Sequence, residues 1–91
     1  MALGTVTLDF GVSPTQEGTV DVTSSDLAAN SHIEAWVQRD STAGNDAAAH
    51  EMLQTFCEFT TEFLTATTFR IYARIVGVLA TNTFTLHWGH N

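Results

Sequence analysis

Apolar and polar residues alternate with a period of two along most of this chain, in short runs separated by turn chemistry. From Leu3 to Val12, Val6, Leu8 and Phe10 fall on one side and Thr5, Thr7 and Asp9 on the other. That is the pattern of a strand with one face against a core. Ser13-Pro14 and Glu17-Gly18 interrupt it, and Pro14 has no N–H to give to a ladder. Val20 and Val22 carry a second alternation over Thr19 to Thr23, a strand expected to pair with the first. Ser24 to Ser31 is polar and turn-like, with Leu27 placed to pin it to the core.

Ile33, Ala35 and Val37 form the apolar face of a third strand, with His32, Glu34, Trp36 and Gln38 facing the other way. Asp40 to Asp46 has the Ser, Thr, Gly and Asn of a loop. Asn45 or Asp46 is suited to cap a brief helical turn over Ala47 to Met52. Phe56, Phe59 and Phe63 then sit among Thr60, Thr61 and Thr65, a mixture of β-branched and aromatic residues that favours strand. Phe69, Ile71, Ala73 and Ile75 alternate with Arg70, Tyr72 and Arg74. After turns at Gly77 and near Thr81-Asn82, Phe84, Leu86 and Trp88 define a last strand, opposed by Thr83, Thr85 and His87. The pattern predicts six to eight short strands and one short helical turn. No amphipathic helix is long enough for a βαβ crossover, so the expected fold is all-β, a small antiparallel sandwich or barrel-like domain. Its 91 residues have interior enough for one core, hence a single β domain over residues 1–91.

Composition narrows the range of partners. The chain has no lysine, and Arg39, Arg70 and Arg74 are its only full positive charges against ten acidic residues. A net charge of −7 repels phosphate backbones and anionic bilayers, so neither nucleic acid nor membrane is an expected partner. No run approaches the roughly 20 apolar residues of a spanning helix, and no basic, then apolar leader precedes the first strand. A soluble product made in a cytoplasm is expected. Cys57 is the single cysteine, so no intramolecular disulfide is possible. Between Phe56 and Phe59 it reads as a small buried hydrophobe, with an exposed reactive thiol as the alternative.

Catalytic and metal motifs are incomplete. His50-Glu51 matches the first half of a zinc-protease HExxH, but Gln54 stands where the second ligand belongs, leaving a capped turn with surface polar residues as the better reading. Asp40, Thr42, Asp46 and Glu51 are spaced loosely like a calcium loop, yet Asn45 occupies the position that needs glycine. His87 and His90 with Cys57 have no specific metal spacing. Glu58 and Glu62 are paired carboxylates that, on opposing short strands, read as ordinary solvated positions. No triad order, phosphate loop or nucleophile elbow occurs. No enzyme activity, cofactor or metal is expected.

Two features suit contact instead. Arg70, Tyr72 and Arg74 share one strand face, which is either an ordinary solvated face or a dock for an acidic patch on a partner. Trp36 shares the parity of Glu34 and Gln38, so it either packs in a second layer or is covered by a partner.

The runs TLDFG, SHIEAW, the STA-bearing loop, AAHE, TFRIYA and TFTLHWGHN together resemble a family of short structural proteins of tailed bacteriophages. That family joins an S-x-VEAW strand, a TADH-like loop with a D/E-H turn, a hairpin ending in GFTIYA and a Trp-rich last strand. The loop DSTAGNDAAAHE lacks the His that follows Asp in the family, and Thr68 stands where the family tends to have Gly. The resemblance covers most of the chain. It implies a virion component, made in the host bacterial cytoplasm, most simply a capsid decoration or cement protein on the outer coat shell. The implied partners are the major capsid protein or other virion proteins, with a homo-oligomer or many copies per particle. A tail- or fibre-associated adaptor is the runner-up. A host-surface carbohydrate-binding module is a third reading, in which Trp36, Tyr72 and Trp88 form stacking platforms on one face.

Overall fold

Six strands and one helix account for most of the chain, and the computed structural model describes all 91 residues. In order they are β1 (Ala2–Asp9), β2 (Glu17–Thr23), β3 (Ile33–Trp36), α1 (Ala47–Phe56), β4 (Cys57–Thr65), β5 (Thr68–Ile75) and β6 (Thr83–His90). The strands form two antiparallel three-stranded sheets, β1-β6-β3 and β2-β5-β4, packed as a small all-β sandwich. No helix is long and apolar enough to cross a membrane.

The period-two reading gives the faces of the strands. Leu8, Phe10, Val22, Val37, Phe69, Ile71, Ala73, Ile75, Phe84, Leu86 and Trp88 are buried in one cluster, while Thr5, Thr7, Thr19 and Asp21 point to solvent. Leu27 is buried as well and anchors the loop after β2 to the core. The central strands β5 and β6 supply half of this apolar cluster because each is flanked on both sides.

Pairing departs from the sequence expectation in one respect. β1 and β2 are not partners: β1 pairs with β6, and β2 pairs with β5. The segment between them passes from one sheet to the other. Phe10 donates its N–H to the Asn82 carbonyl at 2.9 Å, still alongside the entry to β6. Thr15 then exchanges hydrogen bonds with Ala80 at 3.0 and 2.9 Å, and Gln16 accepts from Ile75 N–H at 2.7 Å, already beside β5. A bend holding Pro14 suits such a crossing better than a two-residue hairpin does. The one hairpin of consecutive strands is β4–β5, which carries a register irregularity between Phe63 and Thr65.

Helix α1 is longer than the brief turn the sequence suggests, running to Phe56 rather than Met52. Asp46 is its N-cap, with the side chain accepting from Ala49 N–H at 2.9 Å. His50 and Leu53, three apart, are its buried residues. Phe56 therefore ends a helix instead of opening a strand, and it remains largely exposed.

Gly4 fixes the packing of the largest core side chain. It lies opposite Trp88 in the β1–β6 register, and a Cβ there would sit 2.4 Å from Trp88 Cζ2. The indole covers the Gly4 backbone, stacks on His90 at 5.9 Å and meets Phe69 edge-on at 5.4 Å.

Candidate contact surfaces

The outer face of β2-β5-β4 is ordered by register into three rows. Glu17, Arg74 and Glu58 lie across from one another; next come Thr19, Tyr72 and Thr60; then Asp21, Arg70 and Glu62. Each arginine of β5 thus stands between two carboxylates from its neighbouring strands, with Tyr72 between two threonines. Arg70 holds Asp21 through two hydrogen bonds, Nε to Oδ1 at 2.6 Å and a second guanidinium nitrogen to Oδ2 at 3.2 Å. The Tyr72 hydroxyl donates to Glu62 Oε1 at 2.6 Å. Four carboxylates against two guanidiniums leave this face net negative, so it is poorly suited to the acidic partner that the arginines alone suggest. Glu58 and Glu62, rather than lying on opposing strands, share β4 and belong to the same rows.

Arg70 lowers the Asp21 carboxyl below its ordinary value of 3.8, chiefly through the side-chain hydrogen bond, which outweighs the opposing desolvation, with a lesser contribution from the Arg70 charge. The reciprocal bond raises the Arg70 guanidinium. A depressed folded-state value means that the folded protein holds the charged form more tightly than the unfolded chain. The resulting stability is fully present above about 3.8 and is lost as pH falls through the lowered value. Asp21→Asn should therefore be slightly less stable than the parent at pH 7, and the gap should close at pH 2. Urea melts at both values check this; an equal gap at both would detach the pair from the acid response.

The outer face of β1-β6-β3 carries Trp36. Its indole stacks on the His87 ring, with centroids 6.1 Å apart and planes 18° apart, and it is 37% exposed. Gly89 lies one pleat along, and a Cβ there would come 2.7 Å from Leu3 Cδ2 and 3.7 Å from the Trp36 ring. The absent side chain lets Leu3 and Trp36 approach each other over bare backbone. The result is an apolar strip that includes Leu3, which is 67% exposed. Nε2 of His87 is buried without a hydrogen-bond partner, 3.8 Å from Asp40 Oδ2.

His50 contradicts the sequence reading of a surface turn, being fully buried. Its Nδ1 lies 3.0 Å from the Asp46 carbonyl and must donate, while its Nε2 accepts from Thr85 N–H at 3.0 Å, which fixes the tautomer. β3 pairs with β6 only from His90 to His87, so the β6 edge beyond that point has no strand beside it. The loop before α1 fills the gap with side chains. Thr42 Oγ1 and Asn45 Nδ2 donate to the Thr83 carbonyl at 2.7 and 2.8 Å, and Asn45 Nδ2 also reaches the Thr81 carbonyl at 2.9 Å. This role of Thr42, Asn45 and His50 is the one that sequence reasoning missed. The helical spacing of His50 and Leu53 was the available signal, but a histidine on an apolar stripe does not name its partner.

The remaining candidates are dispersed. Both ring nitrogens of His50 are engaged within the fold, Asp46 caps α1, and Glu51 pairs with Arg39. His87 points outward from β6 while His90 points inward, with Nε2 2.8 Å from Ser24 Oγ. No group of three or more His, Cys, Asp or Glu is placed to hold a metal. Cys57 is half buried beside the core, and burial, with a lesser push from Glu58, raises its thiol to about 11 against an opposing backbone hydrogen bond from Arg74. It matches the buried-hydrophobe reading more closely than the reactive-thiol one. Of the three supposed stacking platforms, Trp88 lies in the core, while Trp36 and Tyr72 are on the outer faces of different sheets. No protein-family model, curated protein or solved structure matches this chain.

Proposed function

We propose that this chain is a bacteriophage virion structural protein, most simply a capsid decoration or cement subunit bound to the outer surface of the coat shell, whose chemistry is contact rather than catalysis. The phage context comes from the sequence resemblance. The observation that carries the contact reading is the placement of the candidate residues on opposite sides of the sandwich. Trp36 lies on the outer face of β1-β6-β3, and Arg70, Tyr72 and Arg74 lie on that of β2-β5-β4. A subunit with aromatic and arginine side chains on two opposed faces can touch two neighbours at once, which cementing requires. Many copies on one shell then add weak contacts into strong retention.

Copy number separates this reading from a tail or fibre adaptor. Quantitative mass spectrometry of purified particles should find hundreds of copies, whereas a dozen or fewer would exclude decoration in favour of the adaptor. Replacing both Arg70 and Arg74 by alanine should reduce incorporation severalfold while leaving the melting of the isolated domain nearly unchanged. Unaltered incorporation would remove the β5 face from the contact.

A further inference from the structure

We propose that Ser24 is an acylation site, a hydroxyl activated by His90 that takes a short acyl group from a neutral carboxylic ester. This goes beyond the contact reading above and does not rest on it.

Hydrogen bonds at both ring nitrogens of His90 fix the pair. Nδ1 lies 3.0 Å from the main-chain oxygen of Asn91, which can only accept, so Nδ1 carries the proton. In the neutral ring Nε2 is then the lone-pair nitrogen, and the Ser24 hydroxyl, 2.8 Å away, donates to it. Nucleophile, base and orienting group thus stand in the order that serine acylation needs. The orienting residue is itself held, because Asn91 N–H donates to the His32 carbonyl at 3.3 Å and Asn91 Oδ1 accepts from His32 N–H at 2.7 Å. His90 is 3% exposed, stacked on Trp88 and edge-on to Phe69 at 6.2 Å, and this packing keeps the ring turned toward Ser24.

The turn after β2 supplies the oxyanion donors and the space. Ser24 and Leu27 donate their N–H groups to the Thr67 and Ala66 carbonyls at 2.9 and 3.1 Å, which anchors both ends of the turn. Between them, the N–H groups of Ser25 and Asp26 have no acceptor in the fold, and Asp26 sits in the left-handed region at φ 65°. The amide that follows a nucleophile is the donor that receives the developing oxyanion in acyl transfer. Ser24 is half-buried, and beside it a hollow of 160 Å³ is lined by Met1, Ala2, Ser25, Asp26, His90 and Asn91. That volume is well below the ~300–1,000 Å³ of sites for drug-sized ligands, which limits the acyl group to a few carbons. The Asp26 carboxylate and the net charge of −7 disfavour an anionic donor, hence a neutral ester.

In the reaction Ser24 Oγ bonds to the acyl carbon as its proton passes to His90 Nε2. The former carbonyl oxygen becomes an oxyanion stabilised by the free amides of the turn. Its collapse breaks the C–O bond to the leaving alcohol or phenol, which departs with the proton from Nε2. Ser24 ends as an O-acyl ester, and His90 is again the neutral base.

The test treats the full chain with p-nitrophenyl acetate, reading p-nitrophenolate by absorbance and the acetylated residue by tandem mass spectrometry after an acid quench. Acetyl should appear on Ser24, and release should be at least about a hundredfold faster than from the Ser24→Ala chain. His90→Gln keeps an acceptor for the Ser24 hydroxyl, and so keeps the tie between the turn and β6, but it cannot carry the proton. It should stay folded by circular dichroism and lose the same factor, which a merely structural His90 would not cause. Ser24→Cys places another nucleophile beside His90, should be acetylated at position 24, and keeps the test decisive if the alanine variant unfolds. Parent-like release from Ser24→Ala or His90→Gln would overturn the proposal. So would acetyl on exposed side chains such as His32 in place of Ser24, or a Ser24→Cys chain left unlabelled at position 24.

Discussion

Replacing His50 by alanine is expected to destabilise the domain by about 3 kcal/mol, enough to lower the melting temperature by roughly 12–24 °C in a domain of this size. Two losses add. The first is the acceptor for Thr85 N–H. Where β3 has ended, no strand lies beside β6 to replace it, and an orphaned, largely desolvated amide costs on the order of 1–3 kcal/mol. The second is the volume of a fully buried ring whose centroid lies 5.0 Å from that of Phe84. The bond from His50 N–H to the Asp46 carbonyl survives, because it belongs to the helix backbone. His50→Gln keeps an acceptor of similar reach and should recover part of the loss, which assigns that part to the hydrogen bond rather than to the cavity. Urea melts of the three proteins measure the split. An alanine variant within 1 kcal/mol of the parent would show that the β6 edge does not depend on this side chain.

Leu8→Asp is expected to abolish folding. Leu8 is fully buried on β1, and an unpaired carboxylate there costs several kcal/mol, comparable to the ~5–15 kcal/mol that holds a domain together. Its neighbour provides the control. Thr7 is exposed on the opposite face of the same strand, and Thr7→Asp should change stability by only about 0.5 kcal/mol. Circular dichroism and a soluble-expression test on the pair read the strand face directly. Folded Leu8→Asp protein beside an unfolded Thr7→Asp would mean that β1 is inverted.

The facing of each strand was legible because an alternation with period two records which side meets the core. Leu8, Ile71 and Leu86 needed no structure to be placed inside. Partner choice was not legible. Val20 and Val22 look the same whether β2 lies beside β1 or crosses to β5, and only the path through Pro14 and Thr15 to the Ala80 bridge decides it. Helix α1 outran its expected end because Phe56 has strand propensity, while Leu53, three residues after His50, fixes the helix by burial. Among the contact candidates, the shared face of Arg70, Tyr72 and Arg74 could be read from spacing alone. Their acidic neighbours could not, since Glu17, Asp21, Glu58 and Glu62 come from two strands whose register is set by the whole sheet.

The rows of acid, arginine and acid across β2, β5 and β4 act as an alignment code. Exposed ion pairs each contribute only about 0–1 kcal/mol, so they add little to the depth of the native state. Their influence lies in what they exclude. A slip of two residues keeps every apolar side chain inward, so burial alone does not forbid it. Yet such a slip in one direction sets Glu17 against Tyr72 and Thr19 against Arg70, leaving both arginines of β5 without an opposite charge on β2. The same shift on β4 moves Glu58 and Glu62 off their partners at once. β2, which has no hairpin to β5, is thereby tied to one alignment that hydrophobicity alone does not distinguish from the next, while on β4 the same rows reinforce the register that the β4–β5 turn sets.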